Sequence, residues 1–457
     1  MKPEELANAI LALSAWAQQH STQPEPELQR RLRELFGRDP AELPVVSQTL
    51  QPWDRPNLQL AVDAWLDGRA VDLFGLPPTH GYRAGLAELV RSGGPEWMGV
   101  GDLSGVEHIS VPLGEHESVT CVQSGLWLVP DDEAPLVLML RGEDMGDREK
   151  LTFEVMAAER ERAEQVIAAL RRAMSERNVY RGRVIELRPR HFHDDEGAPL
   201  TVRTLPPIRR EQIVLPEEVL ERIERQTFGI ARHAERLRAS GRHLRRGLLL
   251  HGPPGVGKTL TAMYLAACMP ERTVVLLTGH GLQVIRVSVD LATALQPAMV
   301  VLEDVDLVAM DRVYESTNAV LFELLNAMDG LDEDHDVLFV LTTNRVDRLE
   351  PALAARPGRI DQAVELPLPD ADGRRRLIEL YGAGLGLELP PGDPLVGELE
   401  GTTPAFIREL LRRAALVAAD DGGDGAIRVG PAHLHGALRE LRAGGDLTRT
   451  LLGAQPR

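Results

Sequence analysis

The stretch Gly247-Leu-Leu-Leu-His251-Gly252-Pro253-Pro254-Gly255-Val256-Gly257-Lys258-Thr259-Leu260 decides how the rest of the chain is read. Leu248 to Leu250 have the length and bulk of a buried strand. The run breaks at Gly252, and Lys258-Thr259 then open an amphipathic stretch carrying Leu260, Met263, Leu265 and Met269. Strand, glycine loop and helix are the context that a G-x-x-x-x-G-K-[ST] pattern needs. The glycines let backbone N–H groups turn inward around phosphate oxygens, and the helix N-terminus adds partial positive charge. Lys258 is then placed to reach the outer phosphates, and the Thr259 hydroxyl to bind Mg²⁺. Lysine usage adds an independent point. Of 51 basic side chains only Lys2, Lys150 and Lys258 are lysines. A chain that otherwise uses arginine keeps a compact ammonium here, where a planar guanidinium fork suits the task less well. Gly252 to Leu260 therefore imply a nucleoside triphosphate site.

Composition narrows the class. At 457 residues the chain has room for about two to four domains with sizeable cores. A formal net charge of −18 argues against a broad nucleic-acid or anionic-membrane surface, although Arg242–Arg246 and Arg374–Arg376 could make a local basic patch. The two cysteines, Cys121 and Cys268, lie in apolar surroundings without metal-like spacing, which points to a reducing cytoplasm. The first residues, MKPEELANAILALSAWAQQH, carry acids where a signal peptide needs bases, and no apolar run approaches the roughly 20 residues of a membrane span.

Residues 1–100 read as mainly helical, with apolar residues at helical spacing around Leu6–Ala17, Leu28–Phe36, Leu58–Leu66 and Tyr82–Val90. Residues 101–187 change period. Short β-like runs at Glu107–Val111, Val119–Val122, Leu126–Val129, Leu136–Leu140 and Leu151–Val155 precede a helix at Ala158–Arg177 and a closing strand at Val179–Leu187, together a small α+β module. A proline-broken linker spans 188–210. Its His191-Phe-His193-Asp194-Asp195 reads as solvated linker rather than as a metal cluster, since no second ligand pair supports it. Beyond Glu211 helix and strand alternate, the mark of a parallel α/β sheet over 211–369 with strands at Gly247–His251, Thr273–Leu277, Met299–Leu302, Val337–Leu341 and Ala363–Leu366. Residues 370–457 read as helical.

Three further motifs carry chemistry. Ala298–Leu302 is an apolar strand ending in Glu303-Asp304-Val305-Asp306, which places adjacent carboxylates at a strand tip beside the phosphate loop. One can hold a Mg²⁺ shell while the next orients and deprotonates water. Val337–Thr343 is an apolar strand followed by Asn344, placed to hydrogen-bond the attacking water or the γ-phosphate. Arg356-Pro-Gly-Arg359-Ile-Asp361 sets two guanidinium groups around a rigid turn, for surface salt bridging or for charge stabilisation at a neighbouring subunit's γ-phosphate.

Together the four motifs, GPPGVGKT, LEDVD, TTN and RLEPALAARPGRID, resemble the AAA ATPase family in order and spacing over about residues 211–420. The Glu-Asp order of LEDVD is similar to that of the mitochondrial ATPase that assembles the cytochrome bc complex, and the wider pattern is similar to valosin-containing-protein-type ATPases. The resemblance implies a P-loop α/β core with a C-terminal helical lid, and Mg²⁺-dependent ATP hydrolysis in a ring, usually a hexamer, that remodels a protein client. It implies Gly252–Thr259 on the triphosphate, Thr259 and Glu303 on the metal side, Asp304 as base and Asn344 as sensor. Arg356 and Arg359 become fingers acting in trans. Thr402–Leu411 comes near the nucleotide, with Arg408 as a lid contact. Asp332, Asp334 and Asp336 then read as a solvated turn rather than a calcium loop.

The chain also departs from the family pattern. Asp304 has one methylene fewer than the usual Glu, which predicts slow hydrolysis, since misplacement by about 1 Å can cost on the order of 10²-fold. The Gly281-Leu-Gln-Val-Ile285 segment has no aromatic where peptide-threading members carry one. The span from Asp347 to Arg356 is one residue longer than usual.

Overall fold

Residues 26–76, 85–91, 103–131, 134–142, 151–187, 200–277, 282–308, 324–328, 335–347, 360–390, 393–422 and 426–443 are described by the structure, a computed structural model. They fall into two compact units, Met1–Val111 with Ser118–Asn178, and Pro112–Glu117 with Val179–Arg457.

The first unit is built on a five-stranded antiparallel sheet of order β1-β7-β6-β5-β2. Its elements are α1 (Glu27–Phe36), β1 (Val45–Leu50), α2 (Arg55–Leu66), β2 (Asp72–Gly75), α3 (Leu86–Arg91), β3 (His108–Pro112), β4 (Ser118–Val122), β5 (Gly125–Val129), β6 (Leu136–Arg141), β7 (Leu151–Ala157) and α4 (Arg160–Glu176). Alternate residues of β5 and β6 face opposite sides. Trp127, Leu138 and Leu140 pack with Leu58 and Val62 of α2 and Leu170 of α4. Leu126, Leu128, Val137 and Met139 pack with Leu28 and Leu32 of α1 and Leu86 of α3. Both faces are covered, so β5 is buried end to end and β6 from Leu136 to Leu140.

Among the described residues before 100 helices outnumber strands, and β1 and β2 form the two edges of this sheet. One expectation is corrected here. The segment read as the module's closing strand, β8 (Val184–Leu187), pairs in parallel with a strand of the second unit instead. A four-residue apolar strand has too little pattern to say which sheet it joins.

The second unit carries a seven-stranded sheet of order β14-β10-β13-β12-β11-β8-β9. After β9 (Leu200–Arg203) come α5 (Glu217–Glu224), α6 (Ala234–Ala239), β10 (Arg246–His251), α7 (Lys258–Ala267), β11 (Thr273–Leu277), α8 (Leu282–Ala294), β12 (Ala298–Leu302), α9 (Val305–Val308), β13 (Val337–Thr343) and β14 (Gln362–Glu365). All neighbouring pairs are parallel except β8 with β9. The five strands expected from the sequence are all present, with ends shifted by a residue or so. In β11, β12 and β13 every residue is buried, which is why they read as unbroken apolar runs. Helices α10 (Ala371–Tyr381), α11 (Leu395–Glu398), α12 (Pro404–Gly422) and α13 (Pro431–Ala443) follow and share a core of Leu377, Ile378, Phe406, Leu410, Leu434 and Leu438. The fold is thus an α/β parallel sheet with C-terminal helices.

Several charged residues have structural roles. Arg374 is buried and donates to the carbonyls of Val396 and Pro369, and Arg245 donates to that of Met328, so these arginine runs are partly spent inside the fold. Asp336 is not in a solvated turn but buried against Arg272, at 2.7 Å. Cys121 is buried and Cys268 is exposed, both free thiols. Among the described residues no helix is long and apolar enough to cross a membrane. His191, His193, Asp194, Asp195, Asp332, Asp334 and the Gly281 end of the aromatic-free segment lie outside the described residues.

Candidate functional site

Strand β10 lies between β14 and β13, so the loop leaving its carboxyl end opens at the point where the strand order reverses. Open parallel sheets bind ligands in that crevice. The loop needs its glycines for packing as well as for phosphate. Gly252 has φ of +147°, and a Cβ there would come 2.5 Å from the Leu366 carbonyl oxygen. Gly255 has φ of +82°, and a Cβ there would come 2.9 Å from the Ala405 methyl. The Ala405 amide, in the first turn of α12, donates to the Gly255 carbonyl at 3.2 Å, so Thr403–Ala405 of the expected lid segment meets the loop. Arg408 lies near Tyr381, whose hydroxyl pKa burial raises while the Arg408 charge pulls it back down.

Lys258 opens α7 and is 6 % exposed. Its ammonium donates to the carbonyls of Gly252 and Pro253, both at 2.9 Å, and to Asn344 Oδ1 at 2.7 Å, which uses its three hydrogens. Burial pushes its pKa down from the ordinary lysine value, and the charges of Asp304 and Asp306 push it back up.

Asn344 follows the carboxyl end of β13 and turns its other side to the second motif, its Nδ2 donating to Asp304 Oδ1 at 3.1 Å. Asp304 has φ of +47°, a left-handed conformation that aspartate tolerates better than most residues. Its amide donates to Thr342 Oγ1 at 2.9 Å. That turn changes the direction in which the short side chain leaves the strand. Glu303 is half-buried. Burial first, then the neighbouring Asp304 charge, raise its pKa, against a hydrogen bond from the Thr259 hydroxyl, with Glu186 adding a smaller push upward.

Sequence reasoning missed Asp306. It is 4 % exposed, and its Oδ1 accepts from Thr343 Oγ1 at 2.8 Å and from the Asn344 amide at 3.1 Å. The signal was the third acid of Glu303-Asp304-Val305-Asp306, but nothing in a linear pattern tells a buried acceptor from a helix-opening acid. Of the fourth motif only Ile360 and Asp361 are described. Asp361 exchanges hydrogen bonds with Gly247, 2.8 Å through its carboxylate and 2.9 Å through its amide, and so pins β14 to β10. Arg356 and Arg359 lie outside the described residues.

Lys258, Asn344, Asp304 and Asp306 thus form one hydrogen-bonded set at the crevice, with Thr259 and Glu303 joined beside it. Thr259 and Glu303 are hard oxygen donors of the kind Mg²⁺ takes. Among the described residues no three His, Cys, Asp or Glu side chains converge as a metal cage.

Residues 248–368 match the sequence profile described as "ATPase family associated with various cellular activities (AAA)". The chain is similar to the proteasome-activating nucleotidase of Methanothermobacter thermautotrophicus, 30% identical over 49% of this chain and 58% of that protein. It is also similar to the ATP-dependent zinc metalloprotease FtsH 2 of Sphaerobacter thermophilus, 35% identical over 45% of this chain and 33% of that protein. A third relative, 26S proteasome regulatory subunit S10B homolog B of Arabidopsis thaliana, is 31% identical over 38% of this chain and 47% of that protein. The chain therefore spans only about a third to three-fifths of the length of these relatives. The phosphate loop, its carboxylates and the parallel sheet that brings them together are those of an AAA ATPase-family domain, which this chain carries over residues 248–368.

Proposed function

We propose that the chain is an Mg²⁺-dependent ATP hydrolase, working as a ring of identical subunits, a hexamer by resemblance, that remodels or disassembles a protein partner chosen by its N-terminal unit. The observation that carries the reading is the continuous path from Lys258 through Asn344 to Asp304, which joins the phosphate loop to a carboxylate. Hydrolysis forms a bond from water oxygen to the γ-phosphorus and breaks the bond to the ADP oxygen. In this reading Asp304 takes the water proton, Asn344 orients the water, and Lys258 balances charge on the outer phosphates. Thr259 and Glu303 would hold a Mg²⁺, which would supply neutralising charge for the phosphates. Arg356 and Arg359 reach the neighbouring subunit's γ-phosphate.

The names of the nucleotidase and 26S relatives support a role in handling proteins, and the Glu-Asp order, by its resemblance to the mitochondrial cytochrome bc assembly ATPase, supports hydrolysis. Two free cysteines suit a cytoplasmic setting. Phosphate release by the parent chain and by Lys258→Ala tests the reading. Release by the parent that the variant lacks is expected, and equal release from both removes the assignment. For the fingers, Arg359→Ala should assemble yet lose about 10³–10⁵ in turnover. Normal hydrolysis by that variant would end the trans role.

A second reading, a nucleotide-gated binding switch, is favoured by the short side chain at Asp304 and its left-handed backbone. Turnover far below about 1 s⁻¹ that no protein partner stimulates would select it.

A further inference from the structure

We infer that Asp306 is a positioning residue for hydrolysis, acting through Asn344 rather than on the nucleotide. The inference rests on the ATPase reading. Asn344 is asked to hold its carboxamide between the Lys258 ammonium and the Asp304 carboxylate, at 2.7 and 3.1 Å. Asn344 lies one residue past Thr343, where the pairing of β13 with β10 ends. Asp306 supplies the missing constraint. One carboxylate oxygen accepts the Asn344 amide and the Thr343 hydroxyl, and that hydroxyl also accepts the Arg345 amide at 3.0 Å. The turn Thr343-Asn344-Arg345 is thereby clamped around a single buried anion. Hydrogen bonds to an ionised acceptor are short and strong, and the burial of Asp306 removes competition from water.

Two other functions of Asp306 make different demands. A metal ligand would have to reach the Thr259 and Glu303 side. A purely structural anion would stabilise the fold without being coupled to Asn344. The clamp makes Asp306 and Asn344 one unit, so removal of either should lose the same function.

The test uses the full-length chain and four proteins: the parent, Asp306→Ala, Asn344→Ala and the double variant. Turnover by the parent decides the ATPase reading by itself. If the parent turns over, Asp306→Ala should lower kcat by about 10²-fold, the cost of misplacing a positioned group by about 1 Å, with nucleotide affinity close to the parent's. The double variant should then be no slower than Asn344→Ala alone. Independent, multiplying losses in the double variant, or a loss confined to nucleotide affinity, overturn the inference. Asp306→Asn keeps an acceptor for both donors and should recover most of the rate. If it is as slow as Asp306→Ala, the clamp is not the cause. If the parent does not turn over, hydrogen exchange at the Asn344 amide decides instead. Faster exchange in Asp306→Ala supports the clamp, and unchanged exchange overturns it.

Discussion

The two ends of the second unit's sheet both bury charge, and they do so in opposite ways. At the amino ends of β12 and β13, Arg272 and Asp336 make a closed pair. The guanidinium donates to Asp336 at 2.7 Å and to the Ala298 carbonyl at 3.1 Å, while the Asp336 amide donates to Gln296 Oε1 at 2.9 Å. One cation meets one anion and the polar groups are spoken for. At the carboxyl ends of the same strands, among the described residues, Asp304 and Asp306 act on the Lys258 ammonium, Asp306 also acts on the exposed Arg345, and Glu303 sits half-buried beside Asp304. Burial opposes charge there, and the surplus is negative. A pair in balance holds strands together, and a cluster in deficit of positive charge waits for a cation.

The largest expected effect tests the balanced end. Arg272→Ala or Asp336→Ala leaves one buried charge without its partner, and breaking such a pair costs about 3–5 kcal/mol. Thermal or denaturant unfolding should show that loss, while the folded fraction still binds nucleotide. Replacing both at once, Arg272→Met with Asp336→Leu, should recover most of the stability, because apolar residues of similar volume do as well as a buried pair. Lost nucleotide binding with unchanged stability in either single variant would break the contrast between the two ends.

A smaller effect separates two glycines of the phosphate loop. Gly255 and Gly257 both have positive φ, +82° and +99°, yet a Cβ at Gly257 meets nothing within 4 Å while one at Gly255 crowds Ala405 and Thr403. Alanine at either position accepts a left-handed backbone, at about 1–2 kcal/mol. Only Gly255→Ala should also push away the first turn of α12, and exchange at the Ala405 amide should rise in that variant alone. Equal exchange in the two variants would mean that the loop does not hold the helix.

What could be read from the sequence follows the same division. Buried parallel strands are continuous apolar runs, so β10 to β13 and the loop after β10 were legible; Lys258 opens the helix after that loop, and Glu303, Asp304 and Asn344 fall just past strand ends. The roles of Asp306 and Asp336 were hidden because burial is a property of the fold. Either carboxylate reads as a solvated acid until Thr343 or Arg272 is seen against it. Strand β8 was assigned to the wrong sheet for a related reason: four residues carry a strand pattern but not the identity of their neighbour.

The smallest expected effect belongs to Glu303 and sharpens the deficit at the carboxyl end. Burial and Asp304 hold its pKa above the ordinary carboxylate value of 4.5. The folded chain therefore keeps this proton at pH values where the unfolded chain has lost it. Stability drawn from that proton is full below the unfolded pKa and is lost as pH rises through the folded one. At neutral pH the ionised Glu303 is a cost, and Glu303→Gln removes it. The variant should melt slightly higher than the parent at pH 7, by less than either loop-glycine variant shifts it, with the gap closing as pH falls toward the ordinary carboxylate range. Addition of Mg²⁺ with nucleotide should reverse the order, since a cation that binds the folded state rewards the charged side chain. A variant that melts lower than the parent at pH 7 without ligand would show that the Thr259 hydrogen bond outweighs burial. The carboxyl end would then be balanced as the amino end is, with no deficit left for a cation to fill.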